Sequence, residues 1–336
     1  MSERERERNI SYEIYQKNLR YRTDRYKSLE KSKIVAKAED IKPMWNGHGN
    51  TWYLVRPAMG FDDLGASMFI EEIAPGKTNT MHRHMAEATV YILQGKGHTL
   101  LDEDVVEWKA GDAVFVPPMR WHEFFNDGEE TMRFIGMGAG EVMKNVGLGL
   151  QQHLDMVSPE ERPHLGKRPS VSVSTSPTNA QSKTVVPEKD SQGIYEGDRD
   201  YERVLADRRL KTKILCKGAD VKPQWDGQSW KHYMVDPRLG YDAYIHQIYV
   251  EDIPPGKNTV EHCHLYEEAV FVLEGRGHTI IDGRRYDWKA NDALFLPPFF
   301  WHQTFNDDPD HKSRWLVQNN ALLVKSLGYA PIEHRQ

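Results

Sequence analysis

Cysteine is almost missing from this chain of 336 residues, with Cys216 and Cys263 the only two. That scarcity excludes a disulfide-stapled framework and points to a reducing compartment. Long apolar runs are missing too. No stretch of 18 apolar residues occurs, and the start, MSERERERNISYEIYQ, is charged where a secretory leader would be apolar. A soluble, cytoplasmic protein with no membrane partner is therefore expected. Nor does charge of one sign dominate: 44 Lys and Arg are mixed with 50 Asp and Glu, for a net charge of −6. No basic stripe is set aside, so nucleic acid is not an expected partner. With 39% hydrophobic residues, nine Trp, fifteen Tyr and eleven Phe, the chain fits a folded, strand-rich protein long enough for two cores.

What is present is a repeat. Tyr21, Asp40, Lys42, Pro43, Trp45 and Gly60 recur as Tyr201, Asp220, Lys222, Pro223, Trp225 and Gly240, and residues 21–126 match 201–306 without insertion or deletion. Two copies at so long a period imply two domains and not a solenoid. We divide the chain into an N-terminal unit over 1–157, with a charged helical start, and a C-terminal unit over 193–336. Residues 158–192, rich in Ser, Thr, Pro and Lys, read as a solvated linker.

Within each copy, short runs of branched and aromatic residues alternate with Gly, Pro and Asp. Residues 67–73, 88–94, 98–101, 113–117 and 132–137 read as strands, as do their counterparts in the second copy. Gly95, Gly275, Gly111-Asp112 and Asn291-Asp292 read as tight turns between paired strands. Helices are expected only near 12–33, 141–153 and 197–212. The fold class is all-β: two jelly-roll barrels in tandem, with short flanking helices.

Each copy carries the same histidine spacing. The first has His82-Arg83-His84 and, after Pro117-Pro118, His122; the second has His262-Cys263-His264 and, after Pro297-Pro298, His302. Residues i and i+2 of a strand face one side, so each His-x-His pair converges inside its barrel while Arg83 and Cys263 turn away. Three neutral imidazoles at one point suit Fe, Mn, Ni, Cu or Zn, and two copies allow up to two metal ions per chain. By the same alternation Ala88 faces inward and Glu87 outward, as does Glu267. His98 and His278 are expected to hydrogen-bond backbone carbonyls. Val90, Ile92, Phe115 and Trp121 would line an apolar pocket. Arg83 is a candidate fork for a substrate carboxylate, and Glu123 and Gln303, next to the third histidines, are candidate polar groups of a catalytic pocket.

These residues carry a family resemblance. G-x5-H-x-H-x3-E-x6-G followed by G-x5-P-x-G-x2-H-x3-N is the two-part pattern of the cupin superfamily, and the chain resembles a bicupin. Gly256, His262, His264, Glu268 and Gly275 fit the first part throughout; the first copy fits it with Ala88 in the place of Glu268. The inner Gly of the second part is Met119 or Phe299, and its opening Gly is Asn291 in the second copy. The resemblance leaves the linker and both ends unaccounted for.

Its implications differ between the halves. The first copy, with three histidines and no carboxylate, is similar to gentisate and salicylate ring-cleaving dioxygenases, bicupins in which Fe(II) takes a bidentate aromatic substrate and O2. Those enzymes keep ligands in one half, whereas this chain keeps them in both. The second copy, with Glu268 as fourth ligand or as a base, is similar to quercetin dioxygenases, acireductone dioxygenases and oxalate decarboxylases. The resemblance thus implies a non-haem Fe(II) dioxygenase acting with O2 on a small hydroxylated aromatic such as a hydroxybenzoate. Its alternatives are a Mn-, Ni- or Zn-dependent decarboxylase, lyase or isomerase using the second barrel, and a bicupin that only binds metal or a small ligand. Cupins commonly pair through barrel edges, so a homo-oligomer is expected.

Overall fold

Runs such as Ala88–Gln94 and Ser67–Ile73, dense in β-branched and aromatic residues, pair antiparallel and give each half a seven-stranded and a five-stranded sheet. The computed structural model describes residues 13, 16, 17, 20, 21, 23–45, 49–156, 204, 205, 207–329 and 332–334. The linker expected at 158–192 lies outside these. In the first half the large sheet runs, in spatial order, Ala113–Val116, Ala88–Gln94, Met132–Gly138, Ser67–Ile73, Asn50–Val55 and Met44–Trp45. The small sheet runs Gln151–His153, His82–His84, His122–Asn126, Lys96–Leu101 and Asp104–Lys109, and the second half repeats both orders. Side chains from the two sheets, among them Ile92, Val114, Phe134, Leu101 and Phe124, meet in one buried cluster inside the first barrel. Neither cysteine forms a disulfide, and both are buried. No helix among the described residues is long and apolar enough to cross a membrane.

Three local expectations are corrected. Gly95 and Gly275 do not close hairpins; they sit at corners where the chain leaves the large sheet for the small one. Both have positive φ, 97° and 93°, and a Cβ there would lie 3.1 Å and 2.8 Å from the Cα of Met132 and Ser313, which glycine alone avoids. Gly111-Asp112 and Asn291-Asp292 are corners of the same kind, Asn291 adopting φ 71°. Two-residue hairpin loops instead join Leu101 to Asp104 and Ile281 to Arg284. The helix expected to reach residue 153 stops early. It spans Gly140–Asn145, ends before Gly147 at φ 78°, and the chain then forms the strand Gln151–His153.

The halves exchange strands. Leu215–Cys216 pairs with Ala113–Val116 of the first barrel, and Val35–Ala36 pairs with Ala293–Leu296 of the second. A buried aspartate pins each visitor. Asp292 accepts from the Ala38 N–H at 2.9 Å and from Lys37 Nζ at 3.1 Å; Asp112 accepts from the Gly218 N–H at 2.9 Å. Alternation therefore turns Phe115 away from the first barrel's interior, where sequence placed it, and into the core shared with the second half. There it meets Tyr241 edge-on, with ring centroids 5.8 Å apart. Replacing Asp292 by Ala removes the acceptor of part-buried N–H groups on both halves, Ala38 and Lys289, and should lower the unfolding free energy by about 1–3 kcal/mol in urea titration. A change indistinguishable from zero would show that the exchanged strand is held by its ladder alone.

Buried carboxylates also cross the junction. Glu87 accepts from the N–H groups of Tyr244, Ile245 and His246 at 2.9, 2.6 and 2.7 Å. Glu267 accepts from the Leu64 N–H at 2.9 Å and from Arg25 at 3.3 Å. Burial, with Asp63 beside it, pushes Glu267 up from 4.5 to about 8, and burial pushes Asp63 up from 3.8 to about 6. The folded protein thus keeps protons that the unfolded chain releases. Their contribution is complete below the unfolded values and is lost as pH rises through the folded ones. The urea midpoint should accordingly be lower at pH 8 than at pH 5. Glu267→Gln, neutral at every pH, should make that slope shallower, the rest belonging to Asp63, Glu87 and Glu268, which burial also raises, and an unchanged slope would assign all of it to them.

Candidate metal centres

Strand alternation and one backbone hydrogen bond per histidine build the two centres. His82 and His122 are Cα partners across adjacent strands, as are His262 and His302. The turn that delivers the third histidine is fastened to the His-x-His strand: the N–H groups of Met119 and Phe299 each donate to the carbonyl of His84 or His264 at 2.8 Å. Both residues stand where the cupin pattern has Gly, and both adopt positive φ, 63° and 72°. Within each set, one ligand atom of every histidine lies within 4.8 Å of the others.

The Nδ1 of all six rings sits against a backbone carbonyl two residues away. The pairs are His82 with Thr80 at 2.6 Å, His84 with Ala86 at 2.6 Å and His122 with Arg120 at 2.9 Å. In the second half they are His262 with Val260 at 2.8 Å, His264 with Tyr266 at 2.6 Å and His302 with Phe300 at 2.9 Å. A carbonyl only accepts, so each Nδ1 carries the proton and each Nε2 presents a lone pair. The Nε2 atoms of His264 and His302 are buried and have no hydrogen-bond partner. Burial keeps the rings neutral: it pushes His302 down to about 3 and lowers His84, His122, His262 and His264. Imidazoles with converging lone pairs, those of His264 and His302 buried and unpartnered, fit a first-row divalent metal.

The Cupin domain pattern matches residues 69–138 and 249–318, stretches that hold all six histidines. The chain carries two cupin domains. It is 24% identical over 274 residues to a gentisate 1,2-dioxygenase of Haloferax sp, across 77% of this chain and 72% of that protein. It is 22% identical over 248 residues to gentisate 1,2 dioxygenase 1 of Aquipseudomonas alcaligenes, across 72% and 67%. Salicylate 1,2-dioxygenase from Pseudaminobacter salicylatoxidans superposes with a TM-score of 0.62 at 16% identity, over 90% of this chain and 89% of that one. An oxalate decarboxylase superposes at 0.58 and 14%, over 86% and 77%. These structural likenesses establish the bicupin fold.

The two cupin barrels enclose different chemistry. Around the first triad the inward faces are largely apolar: Ala88, Val90 and Ile92 share one face of their strand, and Phe124, its ring centroid 6.4 Å from that of His122, stacks on Phe134; buried Glu71, the cross-strand partner of Phe134, adds a carboxyl. In the second barrel Phe69 is replaced by Tyr249, Ala86 by Tyr266, Thr51 by Lys231 and Ala88 by Glu268. Tyr249 donates to Glu268 at 3.2 Å, and Tyr266 stacks on His264 at 4.1 Å. Burial and neighbouring Glu251 push Glu268 up to about 7, against Lys231, Tyr249 and Asn319. Glu268 does not join the mutually close histidine donors; in this arrangement it is a neighbour of the triad, not a fourth member.

The remaining expected site residues face elsewhere. Arg83 lies over the Trp121 ring at 4.6 Å and donates to Gln152 at 2.7 Å, and Trp121 packs with Met81 outside the pocket. Glu123 accepts from the Thr78 hydroxyl, and Gln303 donates to the Thr259 carbonyl at 2.8 Å. Both follow an inward histidine on a strand, which turns them outward. His98 and His278 bind carboxylates and not carbonyls, pairing with Asp127 at 2.5 Å and Asp307 at 2.8 Å. Two residues escaped the sequence reading. His153 and His334 lie opposite His82 and His262 in register, with ring centroids 5.5 and 5.8 Å away. Their spacing of 181 residues, one more than the repeat, hid the correspondence; an extra residue between Asn306 and Ser313 accounts for it.

Reconstituted protein should bind two equivalents of a divalent first-row metal, and His302→Ala should remove one. Glu268→Gln should retain both, with affinity within about tenfold of the parent. Loss of a full equivalent in that variant would show that the carboxylate swings onto the metal.

Proposed function

We propose that this bicupin is a non-haem, Fe(II)-dependent dioxygenase that cleaves a small hydroxylated aromatic of the hydroxybenzoate type in its first barrel. The observation that carries this reading is a three-histidine centre with Ala88 at the carboxylate position, enclosed by Val90, Ile92, Phe124 and Phe134. The gentisate dioxygenase relatives support it. Bound Fe(II) would supply a dication with no carboxylate among its three histidine ligands, and one-electron chemistry with O2. The chain's residues do the rest. His82, His84 and His122 bring no negative charge to the metal, so an anionic phenolate-carboxylate is the natural complement of the loaded centre. The small Ala88 side chain leaves room at the open side, and the aromatic walls flank a flat ring and exclude water. Cytoplasmic location, a part in breaking down aromatic compounds and homo-oligomeric assembly belong to the same proposal.

A second reading rests on Glu268. A buried carboxyl poised near neutrality beside a second triad suits proton transfer, as in a Mn-, Ni- or Zn-dependent decarboxylase, lyase or isomerase.

Oxygen uptake by the iron-loaded protein over a panel of hydroxybenzoates separates the two. His82→Ala should lower uptake more than about a hundredfold and His262→Ala should leave most of it. The reverse pattern would move the chemistry to the second barrel, and no uptake with any member of the panel would overturn the dioxygenase reading.

A further inference from the structure

The second histidine of each triad is oriented by a carbonyl whose own peptide is tied to the opposite barrel. The Ala86 carbonyl that receives His84 Nδ1 belongs to the Ala86–Glu87 peptide, and the Glu87 carboxylate, 1% exposed, takes three N–H donors from residues 244–246 of the other half. In the second barrel, the Tyr266 carbonyl that receives His264 Nδ1 belongs to the Tyr266–Glu267 peptide. The Glu267 carboxylate, 3% exposed, takes the Leu64 N–H and Arg25 from the first half. Alternation requires this: the histidine-facing carbonyl and the outward glutamate are adjacent, so one peptide serves the metal ring on one side and the barrel junction on the other.

We propose that Glu87 and Glu267 are cross-barrel positioning residues, each fixing from the opposite barrel the peptide that orients its own barrel's second metal-binding histidine. The two pins are not equivalent. The Tyr266–Glu267 peptide has a second hold, its N–H donating to the Asn320 side chain at 2.8 Å, whereas Ala139 stands at the matching place in the first half. The first centre therefore leans harder on its glutamate. The inference rests on metal binding by the triads and not on the reaction assigned to either.

The test reads Co(II) affinity and ligand-field absorption in the full chain, one centre at a time. A His262→Ala background isolates the first triad and a His82→Ala background isolates the second. In the first background, Glu87→Ala should raise the Co(II) dissociation constant about 10–100-fold and shift the absorption bands. Glu87→Asp, which retracts the carboxylate by one methylene, should do the same to a smaller degree. Glu267→Ala should leave that centre within about twofold. In the second background the roles reverse, with a smaller effect. General loosening would weaken both centres with either variant, and that result overturns the proposal. So does a folded Glu87→Asp protein with unchanged affinity and bands, which decides the matter if Glu87→Ala does not fold. Failure of either parent background to bind Co(II) removes the premise and overturns it too.

Discussion

Everything at the two centres depends on where one proton sits on each imidazole. Left in water a histidine chooses between tautomers and titrates near neutrality. Here a backbone carbonyl two residues away takes Nδ1–H in all six cases. That bond fixes the ring plane, excludes the wrong tautomer and leaves Nε2 as the only lone pair. Burial then disfavours the imidazolium form, so the rings are ready for a cation before one arrives. The local rule is simple: two histidines separated by one residue on a strand reach in opposite directions along it, His82 back to Thr80 and His84 forward to Ala86. The Pro-Pro turn brings the third from the neighbouring strand. Its positive-φ residue is held by the same strand, through the Met119 N–H and the His84 carbonyl. A strained turn, costing on the order of 1–3 kcal/mol where the residue is not Gly, is thus stabilised by the strand that bears the ligands.

The barrels are less separate than a tandem repeat suggests. Two segments, Val35–Ala36 and Leu215–Cys216, each complete the large sheet of the opposite half. The exchange removes an exposed sheet edge from both barrels, which otherwise would invite pairing with other chains. It also forces the outer faces of the two large sheets together. Phe115 and Phe295 then become core residues, and glutamates such as Glu87 become the polar cross-links of that core.

Much of this was legible in the sequence. The repeat set the two-barrel architecture, and strand alternation placed His82, His84, Ala88 and Val90 inside and Glu87 outside. What alternation cannot report is which sheet lies beyond the outer face. Glu87 was readable as outward but not as buried, and Phe115 was assigned to the pocket when it faces the other half, because their partners come from a segment about 130–160 residues distant in the chain. Gly95 was recognised as a turn but not as a corner, since the glycine at positive φ is common to both and only the pairing of the flanking strands tells them apart. Arg83, Glu123 and Gln303 were attractive for their nearness in sequence to ligands. Adjacency on a strand means opposite faces, and the structure gave each an ordinary partner. His153 and His334 lay beyond the gap-free match, where one added residue broke the register.

The same rigid frame now surrounds two unlike interiors, and that contrast bears most directly on function. A carboxylate beside a three-histidine centre lowers its net charge and supplies a proton acceptor; a methyl group does neither. Ala88 therefore leaves the first centre to discriminate by charge and shape, with Phe124 and Phe134 as its walls. Glu268 gives the second centre a group whose charge responds near neutrality, surrounded by Tyr249, Tyr266 and Lys231. Because the ligand geometry is common to both, the difference is confined to inward positions of the large sheet and to the residue stacked on the second histidine. Substitution there leaves the exchanged strands, the glutamate pins and the Nδ1–carbonyl bonds untouched. A duplicated barrel can in this way diverge in chemistry without renegotiating its fold, which is why the histidines alone could not say what each centre does.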